Sequence, residues 1–316
     1  MVVLRPYDPA DDAPAVYRLW QQALGDLWPL PYEMFQLITL DPLAYHQGDH
    51  LVAVSGDEIV GFIAVQISPE GLSAEGTLLV LLVAPAYQRR GIGRRLHDQA
   101  MSALKQSGVE KVHLGRGWSY FWQGVPVNLP GAWAFFAACG WQEVERSFDM
   151  IGDLAGYRTP AHIFPNLRRP TIAIAPATQG DAEAILAFEA LHFPGWLRFY
   201  QRIVEHQSYA DMVIAKDSEL GIVGAACLVD QHVSWWQPDI RWLRLLGEQT
   251  GGVGVLGVAE PMREQGIGLA LAARATECLR ERGLAKSYLG WTWLVDWYGK
   301  LGYRVWQEYR MSSRHL

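Results

Sequence analysis

The chain has 316 residues, of which 50% are apolar and 19% are charged, and its net charge is −6. This composition is typical of a globular protein long enough for two domains of about 150 residues. The negative charge excludes a general attraction for nucleic acid or for an anionic membrane, so neither is expected as a partner. The start of the sequence lacks the apolar segment of a signal peptide, and no run reaches the roughly 18 apolar residues of a membrane span, which predicts a cytoplasmic protein.

Patterns of apolar and turn-forming residues predict alternating strands and helices in the first half. The predicted strands are residues 2–4, 50–54, 58–67, 77–83, 111–114 and 141–150. The predicted helices are residues 11–23, 33–39 and 94–106. Ser55, Gly56 and Asp57 join two of these strands, and their Gly-Asp pair is a hairpin signal.

The second half repeats this order. Its predicted strands are residues 171–174, 211–216, 220–229, 253–258, 286–289 and 303–311. Its predicted helices are residues 181–190, 196–206, 269–282 and 294–300. Prolines at 160, 165 and 170 predict a linker over residues 152–170, and therefore domains at 1–151 and 171–316.

Two segments rich in aromatic residues interrupt the regular pattern. Residues 115–133 combine glycines and prolines with Trp118, Tyr120, Phe121 and Trp122, which argues against a simple helix. Residues 230–250 are similarly irregular. Residues 115–133 are either a packed loop or interdomain plug, or a loop that lines a substrate site. Cysteines occur only at three widely spaced positions, which argues against a disulfide framework and against zinc, so no metal is expected.

The most informative stretch occurs twice, after the strands at 77–83 and 253–258. Each copy has a proline, a few polar residues and a Gly-Ile-Gly sequence, followed by a helix. Aligning Val83 with Val258 gives an offset of 175 residues, at which many other positions match. The matching pairs include Ala84 and Ala259, Gly91 and Gly266, Ile92 and Ile267, Gly93 and Gly268, Leu96 and Leu271, and Gly115 and Gly290. This is an internal repeat.

A strand, a glycine turn and a helix start together suit anion binding. Glycines let successive backbone N–H groups converge, and the helix N-terminus adds unpaired donors and a partial positive charge. A P-loop would need Gly-Lys followed by Ser or Thr, and a dinucleotide site usually has a third glycine. Neither pattern fits well, so the turns predict a site for another pyrophosphate ligand.

At these residues the sequence resembles the GNAT acyltransferase superfamily, whose pyrophosphate signature is Gln or Arg, two residues, Gly, one residue, and Gly or Ala. Gln88 with Gly91 and Gly93 fits it, as does Arg263 with Gly266 and Gly268. The resemblance implies the α/β (α+β) class, with two tandem acyl-CoA N-acyltransferase domains, each a mixed, mostly antiparallel sheet flanked by helices. It also implies acetyl-CoA as co-substrate. The implied contacts are Val83, Gln88, Arg89, Arg90, Gly91, Ile92 and Gly93 in the first copy, and Val258, Arg263, Gln265, Gly266, Ile267 and Gly268 in the second.

The resemblance also implies a tyrosine that protonates the leaving thiolate. The second copy has this tyrosine as Tyr298, whereas the first has Phe136, which cannot donate a proton. We therefore expect catalysis in the second half, with Tyr298 as the acid and Glu248 as a candidate base. His232, Asp239 and Glu260 are further candidates for the base, and a water relay is another.

One feature favours the first half instead. Its turn is more basic, with Arg89, Arg90, Arg94 and Arg95, and Tyr120 is a possible substitute for the missing acid. An exposed arginine run is also often only a solvated helix face.

The leading hypothesis is transfer of an acetyl group to a primary amine of a small molecule. Similar tandem members acetylate thiol-sugar conjugates and amino sugars, and aromatic loops suit stacking on a sugar ring. A non-catalytic acyl-CoA sensor is the main alternative. The two intact pyrophosphate signatures and the negative net charge of the chain argue against an aminoacyl-tRNA-dependent transferase. The oligomeric state is open.

Overall fold

The computed structural model describes residues 1–39, 50–68, 74–116, 122–231 and 242–316. The strands, numbered in chain order, are β1 (Val2–Pro6), β2 (Leu51–Ser55), β3 (Glu58–Ile67), β4 (Glu75–Val83), β5 (Lys111–Leu114), β6 (Val125–Pro126), β7 (Glu145–Asp153), β8 (Ile172–Pro176), β9 (Met212–Asp217), β10 (Gly221–Val229), β11 (Thr250–Val258), β12 (Lys286–Thr292) and β13 (Arg304–His315). The helices are α1 (Pro9–Leu24), α2 (Tyr32–Thr39), α3 (Ile92–Gln106), α4 (Pro130–Ala138), α5 (Ala182–His192), α6 (Leu197–Glu205), α7 (Leu243–Leu246), α8 (Ile267–Glu281) and α9 (Val295–Gly299).

The chain forms two compact units. Unit 1 is Met1–Ser147 with Gln307–Leu316, and unit 2 is Phe148–Trp306. These bounds differ from the predicted domains at 1–151 and 171–316. The reason is that β13 supplies its residues from Gln307 onward to unit 1, and β7 supplies its residues from Phe148 onward to unit 2.

The sheet of unit 1 has the strand order β1-β2-β3-β4-β5-β13. Its pairs are antiparallel except for β4 and β5, which are parallel. Helix α1 has an apolar face of Val16, Leu19 and Trp20, all buried, and it packs on the sheet. The ring of Trp20 stacks on Trp122 at a centroid distance of 5.5 Å, and its Nε1 donates to the carbonyl of Trp28 at 2.9 Å. The core of unit 1 is therefore strongly aromatic. The buried indole N–H of Trp20 has the hydrogen-bond partner that such a group needs.

The sheet of unit 2 has the order β7-β12-β11-β10-β9-β8. Again one central pair, β11 and β12, is parallel, and the other pairs are antiparallel. Helix α8 lies on this sheet through a row of small and aliphatic residues that are almost fully buried. The predicted fold class, a mixed and mostly antiparallel sheet with flanking helices in each half, is confirmed.

Two predictions about irregular segments need correction. Residues 115–133 were expected to lack a helix, but α4 begins inside this segment at Pro130. Proline is tolerated there because the first position of a helix needs no N–H donor. Residues 152–170, predicted as the linker, fall within unit 2, where Leu154 and Ile163 are buried and Phe164–Asn166 forms a 3-10 turn. The predicted aromatic residues Trp118, Tyr120 and Phe121 lie outside the described residues.

No helix among the described residues is both long and apolar enough to span a bilayer. All three cysteines, Cys139, Cys227 and Cys278, are buried free thiols.

Unit 2 buries a carboxyl group in its core. Glu189 of α5 has no exposed surface, and this burial raises its pKa to about 8, although the phenol of Tyr200 acts in the opposite direction. The hydroxyl of Tyr200 donates to the carbonyl of Val255 at 2.8 Å, and Val255 has a φ of 42° in β11. Glu189 is therefore mostly protonated at neutral pH.

Replacing Glu189 with glutamine is expected to stabilise unit 2 at high pH and to change little at low pH. In the unfolded chain this carboxyl titrates near its ordinary pKa of about 4.3. Between that value and the folded value of about 8, the folded protein keeps a proton that the unfolded chain releases. Stability is therefore lost as pH rises through this window. The variant avoids this loss and should gain about 4 kcal/mol at about pH 9 relative to about pH 5, measured by urea unfolding.

Glu183 lies on the same helix but is exposed, so Glu183→Gln serves as the matched control. It should show no comparable pH-dependent gain. Equal behaviour of the two variants at both pH values would contradict the assignment of a protonated core carboxyl.

Candidate functional site

Two turns of the same geometry connect a strand to a helix, one in each unit. In unit 1, the path from β4 to α3 passes Arg89 with a φ of 61° and Gly91 with a φ of 80°. In unit 2, the path from β11 to α8 passes Glu264 with a φ of 62° and Gly266 with a φ of 82°. Positive φ is uncommon for residues other than glycine. The matching values at Arg89 and Glu264 therefore mean that the repeat in sequence is also a repeat in backbone conformation.

These turns place helix N-termini where an anion can be bound. The first N–H groups of α3 and α8 have no partner inside their helices, and they carry the partial positive charge of the helix end. Gly91 and Gly266 are the residues immediately before these helices. The other two motif glycines act differently. A Cβ at Gly93 would lie 3.3 Å from the ring of Phe135, and one at Gly268 would lie 3.3 Å from the ring of Trp297, so both allow an aromatic ring to pack closely.

The first residue of each motif holds its own turn together. The side-chain amide of Gln88 donates to the carbonyl of Val83 at 3.0 Å, and Nε of Arg263 donates to the carbonyl of Val258 at 3.2 Å. In both units the last carbonyl of the strand is thus tied to the turn. Gln265 makes a similar internal bond to the carbonyl of Pro261 at 3.3 Å. Ile92 and Ile267 are buried, so these two can offer an anion only their backbone N–H.

The two turns differ in access. A Cβ added at Gly91 would meet no atom within 4 Å. A Cβ added at Gly266 would lie 2.6 Å from the backbone oxygen of Asn166. The backbone N–H of Arg168 also donates to the carbonyl of Gln265 at 3.1 Å. The first turn is open, whereas residues of the segment predicted as a linker lie directly against the second.

A cleft lies beside the open turn. Strands β4 and β5 pair only as far as Leu78 and Leu114, although β4 continues to Val83. The edge of β4 over residues 79–83 therefore lines the cleft together with Trp122, the first turn and one face of α4. The cavity measures about 890 Å³. This size is at the upper end of the range for small-molecule sites. Strands β11 and β12 separate in the same way after Gly252 and Tyr288.

Several of the arginines near the first turn are engaged in local contacts. Arg94 donates to the carbonyl of Ala138 at 2.8 Å, and Arg95 donates to the carbonyl of Val2 at 3.1 Å. The guanidinium of Arg90 lies over the ring of Tyr87 at 5.3 Å. Arg89 is exposed in the turn itself. Three of these four arginines are therefore held by local contacts, and Arg89 is exposed.

The position of the expected catalytic acid lies on equivalent helices in the two units, and it is occupied by Phe136 in unit 1 and by Tyr298 in unit 2. Phe136 lies on α4 and lines the cleft of unit 1. Tyr298 lies on α9, edge-on to Trp297 at 4.7 Å and near Tyr303 at 6.0 Å. Burial raises the pKa of Tyr298 to about 12, so its hydroxyl keeps its proton at neutral pH. Its role as the acid stays a prediction.

Glu248 lies at the other end of β11 from the turn of its own unit, and its role as the base stays a prediction. It is exposed and precedes the first residue of β11, whereas the turn of unit 2 follows the last. The strand spans roughly 25 Å at about 3.3 Å per residue, which separates Glu248 from Gly266. Glu260 is exposed at the start of a 3-10 turn. His232, Asp239 and Tyr120 lie outside the described residues. Within the ranges that the structure describes, no group of three or more His, Cys, Asp or Glu side chains could hold a metal ion.

The sequence profile of the acetyltransferase (GNAT) family matches the chain twice, over residues 13–141 and 181–303. Each match contains one complete turn with its flanking strand and helix. The chain belongs to the acetyltransferase (GNAT) family. Members of this family are acyltransferases that use acetyl-CoA, which agrees with the resemblance carried by the two glycine turns.

Three comparisons place the chain among its relatives. It is 33% identical, with a TM-score of 0.89, to the glucosamine N-acetyltransferase region of a fungal multi-domain beta-N-acetylglucosaminidase, covering 99% of this chain and 38% of that chain. It is 25% identical to a mycothiol acetyltransferase of Cellulomonas flavigena, covering 77% of this chain and 66% of that protein. It shares the fold of a tandem GNAT protein from the clavulanic acid biosynthesis pathway, at 16% identity and a TM-score of 0.67, covering 100% and 98% of the two chains. The chain thus spans less than two thirds of the first two proteins.

Sequence reasoning missed the residues that pack against the two turns. The aromatic residues on the motif glycines, Phe135 and Trp297, are separated by the same 162 residues as Phe136 and Tyr298, so alignment of the repeats contained this signal. The contact of Asn166 with Gly266 had no such signal, because nothing in the linker composition indicates what the linker packs against.

Proposed function

We propose that the protein transfers an acetyl group from acetyl-CoA to the primary amine of a small molecule, an amino sugar, in the cleft of unit 1. The observation that carries this proposal is the difference in access between the turns. Gly91 is exposed beside a cavity of about 890 Å³, whereas Gly266 is half-buried and the backbone oxygen of Asn166 takes the space of a Cβ there. The first turn therefore replaces the second, which we expected from Tyr298, as the proposed site of reaction.

In this proposal the diphosphate binds at Gly91 and at the first N–H groups of α3, with the nearby arginines adding positive charge. The pantetheine arm lies along the free edge of β4 over residues 79–83. A backbone N–H of that edge polarises the thioester carbonyl, where negative charge develops during attack.

The reaction is a direct transfer. The amine nitrogen forms a bond to the carbonyl carbon, the carbon–sulfur bond breaks, and one proton passes from the nitrogen to the thiolate. Phe136 lines the cleft where related enzymes have a tyrosine, and it cannot donate this proton. We propose that water in the open cleft relays it.

The amino sugar as acceptor is supported by a relative and by the size of the cleft. The region of the fungal protein that is 33% identical to this chain is named a glucosamine N-acetyltransferase. In this chain the cleft of about 890 Å³ is large enough for a sugar ring beside the thioester. Release of CoA thiol on mixing with acetyl-CoA and glucosamine tests the proposal, with glucose and N-acetylglucosamine as controls without a free amine.

A non-catalytic acyl-CoA sensor is the second candidate, and Phe136 is the observation that favours it. Binding of acetyl-CoA without thiol release for glucosamine or any other amine in a panel would support the sensor and contradict the proposed transfer.

Replacing Tyr298 with phenylalanine is expected to leave kcat within about twofold of the wild type, because Tyr298 belongs to unit 2 and does not line the cleft of unit 1. The measurement is the initial rate of thiol release at saturating acetyl-CoA. Loss of an acid that acts in the transition state typically costs about 100-fold or more. A loss of that size would return the reaction to the second turn.

A further inference from the structure

A row of polar side chains crosses one face of the sheet of unit 1. Gln66 of β3, Thr77 of β4 and His113 of β5 pair with one another in register, and all three are buried. We name these residues the polar row. Paired residues of neighbouring strands point to the same face of a sheet, and successive residues of one strand point to opposite faces. A Cβ on Gly76 would lie 3.3 Å from Leu104 of α3, so the polar row lies on the face that points away from α3.

The polar row lies at the closed end of the cleft. Thr77 and His113 come directly before Leu78 and Leu114, which are the last paired residues of β4 and β5 and line the cleft. The free edge of β4 starts after this pair, about 7 Å from Thr77 at about 3.3 Å per residue. All residues of 78–83 line the cleft, so it borders both faces of β4. An acceptor that approaches the thioester on the face of the polar row therefore lies beside these side chains.

The polar row contains a ring nitrogen that can accept a proton. Nε2 of His113 is buried and lies 3.4 Å from Oε2 of Glu75, which is too long for a good hydrogen bond. Burial and the charge of Arg116 lower the pKa of His113, although Glu75 acts in the opposite direction. The ring is therefore neutral at neutral pH, and a neutral imidazole has one nitrogen that accepts.

The space between Glu75 and His113 suits an ammonium group. A nitrogen at about 2.8 Å from each of two atoms that are 3.4 Å apart can donate one N–H to Oε2 of Glu75 and another to Nε2 of His113. The Glu75 side chain is 42% exposed, so a ligand can reach it from solvent. Lys111 lies 3.9 Å from the other oxygen of this carboxylate, Oε1. Oε2 thus faces the histidine, and Oε1 faces the lysine.

We propose that Glu75 and His113 form the acceptor subsite of unit 1, where Glu75 binds the ammonium group of the amino sugar and His113 takes one of its protons. This inference rests on the proposed function for the reaction that follows. An amine with a pKa of about 8 is largely protonated at neutral pH, and only its neutral form attacks a carbonyl.

The proton transfer precedes the attack. One N–H bond of the ammonium breaks, its electron pair stays on the nitrogen, and the proton binds to Nε2 of His113. The imidazolium then lies beside the carboxylate of Glu75, which stabilises its charge. It returns the proton to water after the product leaves. This proton is separate from the one that passes from the attacking nitrogen to the thiolate.

The binding test is equilibrium dialysis of the full-length protein, saturated with CoA, against radiolabelled glucosamine and, separately, glucose. CoA carries no acetyl group, so no transfer occurs during the measurement. The wild type should bind glucosamine at least about tenfold more tightly than glucose, because only glucosamine has an ammonium group. Glu75→Gln should remove this difference, since the amide has no charge.

Glu110 is exposed and directly precedes β5, so Glu110→Gln is the matched control and should keep the preference for glucosamine. A wild type that binds the two sugars equally, or a Glu75→Gln variant that keeps the preference, would overturn the inference.

The kinetic test concerns His113. Glutamine at this position keeps a polar group of similar length but cannot take up a proton at neutral pH. His113→Gln should leave the KM for glucosamine within about threefold and lower kcat by about 100-fold or more, which is the usual contribution of a general base. His97→Gln is the matched control, because His97 of α3 is equally buried in unit 1 and its Nε2 accepts from Trp141 at 3.0 Å. It should leave kcat within about twofold, and equal losses in the two variants would assign the effect to packing and contradict the inference.

Rescue by imidazole separates proton transfer from structure. His113→Ala should lose activity like His113→Gln, and added imidazole should restore its rate by about tenfold or more, since the free base can enter the space of the missing ring. A folded His113→Ala variant that imidazole does not reactivate would contradict the role of His113 as proton acceptor.

Failure of the proposed function has a different signature, which is a wild type that binds acetyl-CoA but releases no thiol with any amine. The dialysis with glucosamine then decides alone whether Glu75 and His113 bind an ammonium group.

Discussion

Replacing Gly91 with aspartate is expected to weaken acetyl-CoA binding by about 100-fold and to reduce kcat/KM in proportion. The added side chain starts in open space at the mouth of the first turn, so its carboxylate is placed next to the diphosphate. At a separation of roughly 5 Å and an effective dielectric constant of about 20, two unit charges repel by about 3 kcal/mol. That energy corresponds to about 100-fold in Kd. Calorimetric titration with CoA, with thiol release measured in parallel, checks this result.

The control substitution must cause the same backbone strain at a glycine that lies away from the first turn. Gly108 serves this purpose, since it follows the far end of α3, has the same φ of 80°, and a Cβ added there would also meet no atom within 4 Å. Gly108→Asp should lower stability to a similar degree and leave CoA binding intact. If both variants bind CoA as the wild type does, the first turn is not the nucleotide site.

Replacing Tyr309 with alanine is expected to destabilise unit 1 by about 3 to 5 kcal/mol, which is the usual cost of removing a buried aromatic side chain. Tyr309 has no exposed surface, and its ring lies 6.3 Å from that of Trp28. Its strand neighbours include Pro126 of β6, which borders the cleft. The variant should therefore lose CoA binding at the first turn, although residue 309 lies far from that turn in sequence. Urea unfolding and CoA titration measure the two effects.

Val305 lies on the same strand but in unit 2, and it is 39% exposed. Val305→Ala should change stability by less than about 0.5 kcal/mol, as is usual for surface positions. A Tyr309→Ala variant that unfolds and binds CoA like this control would mean that unit 1 does not depend on β13.

The glycine turns were predictable because their information is local. Gly91 and Gly266 sit at positions that need positive φ, and each follows a strand and precedes a helix within a dozen residues. The family signature, the mixed sheet and most elements follow from such short-range patterns. The helix α4 was missed because the prolines and aromatics before it dominate the composition of its segment, and a proline in the first turn of a helix can start the helix as well as exclude one.

The difference in surroundings between the two turns was not predictable, because it depends on contacts across long sequence separations. Tyr298 favoured the second half by its chemistry, but the structure sets Asn166 against Gly266, at a separation of 100 residues. Similarly, the apolar pattern of β13 predicts a strand and contains nothing that selects β5 as its neighbour. Tertiary packing determines which strands pair in a sheet. The apolar periodicity of one strand does not predict its neighbour.

The position of β13 in unit 1 also has a consequence for biosynthesis. Unit 1 is interrupted after Ser147 and resumes at Gln307, so the ribosome must add the 159 residues of unit 2 before the missing strand begins. At about 5 to 20 residues per second this takes roughly 10 to 30 seconds. During that time the free edge of β5 offers unpaired backbone groups to any other nascent chain. We expect ribosome-associated chaperones, or fast folding of unit 2, to protect this edge during translation, and the amino-terminal half made alone to aggregate.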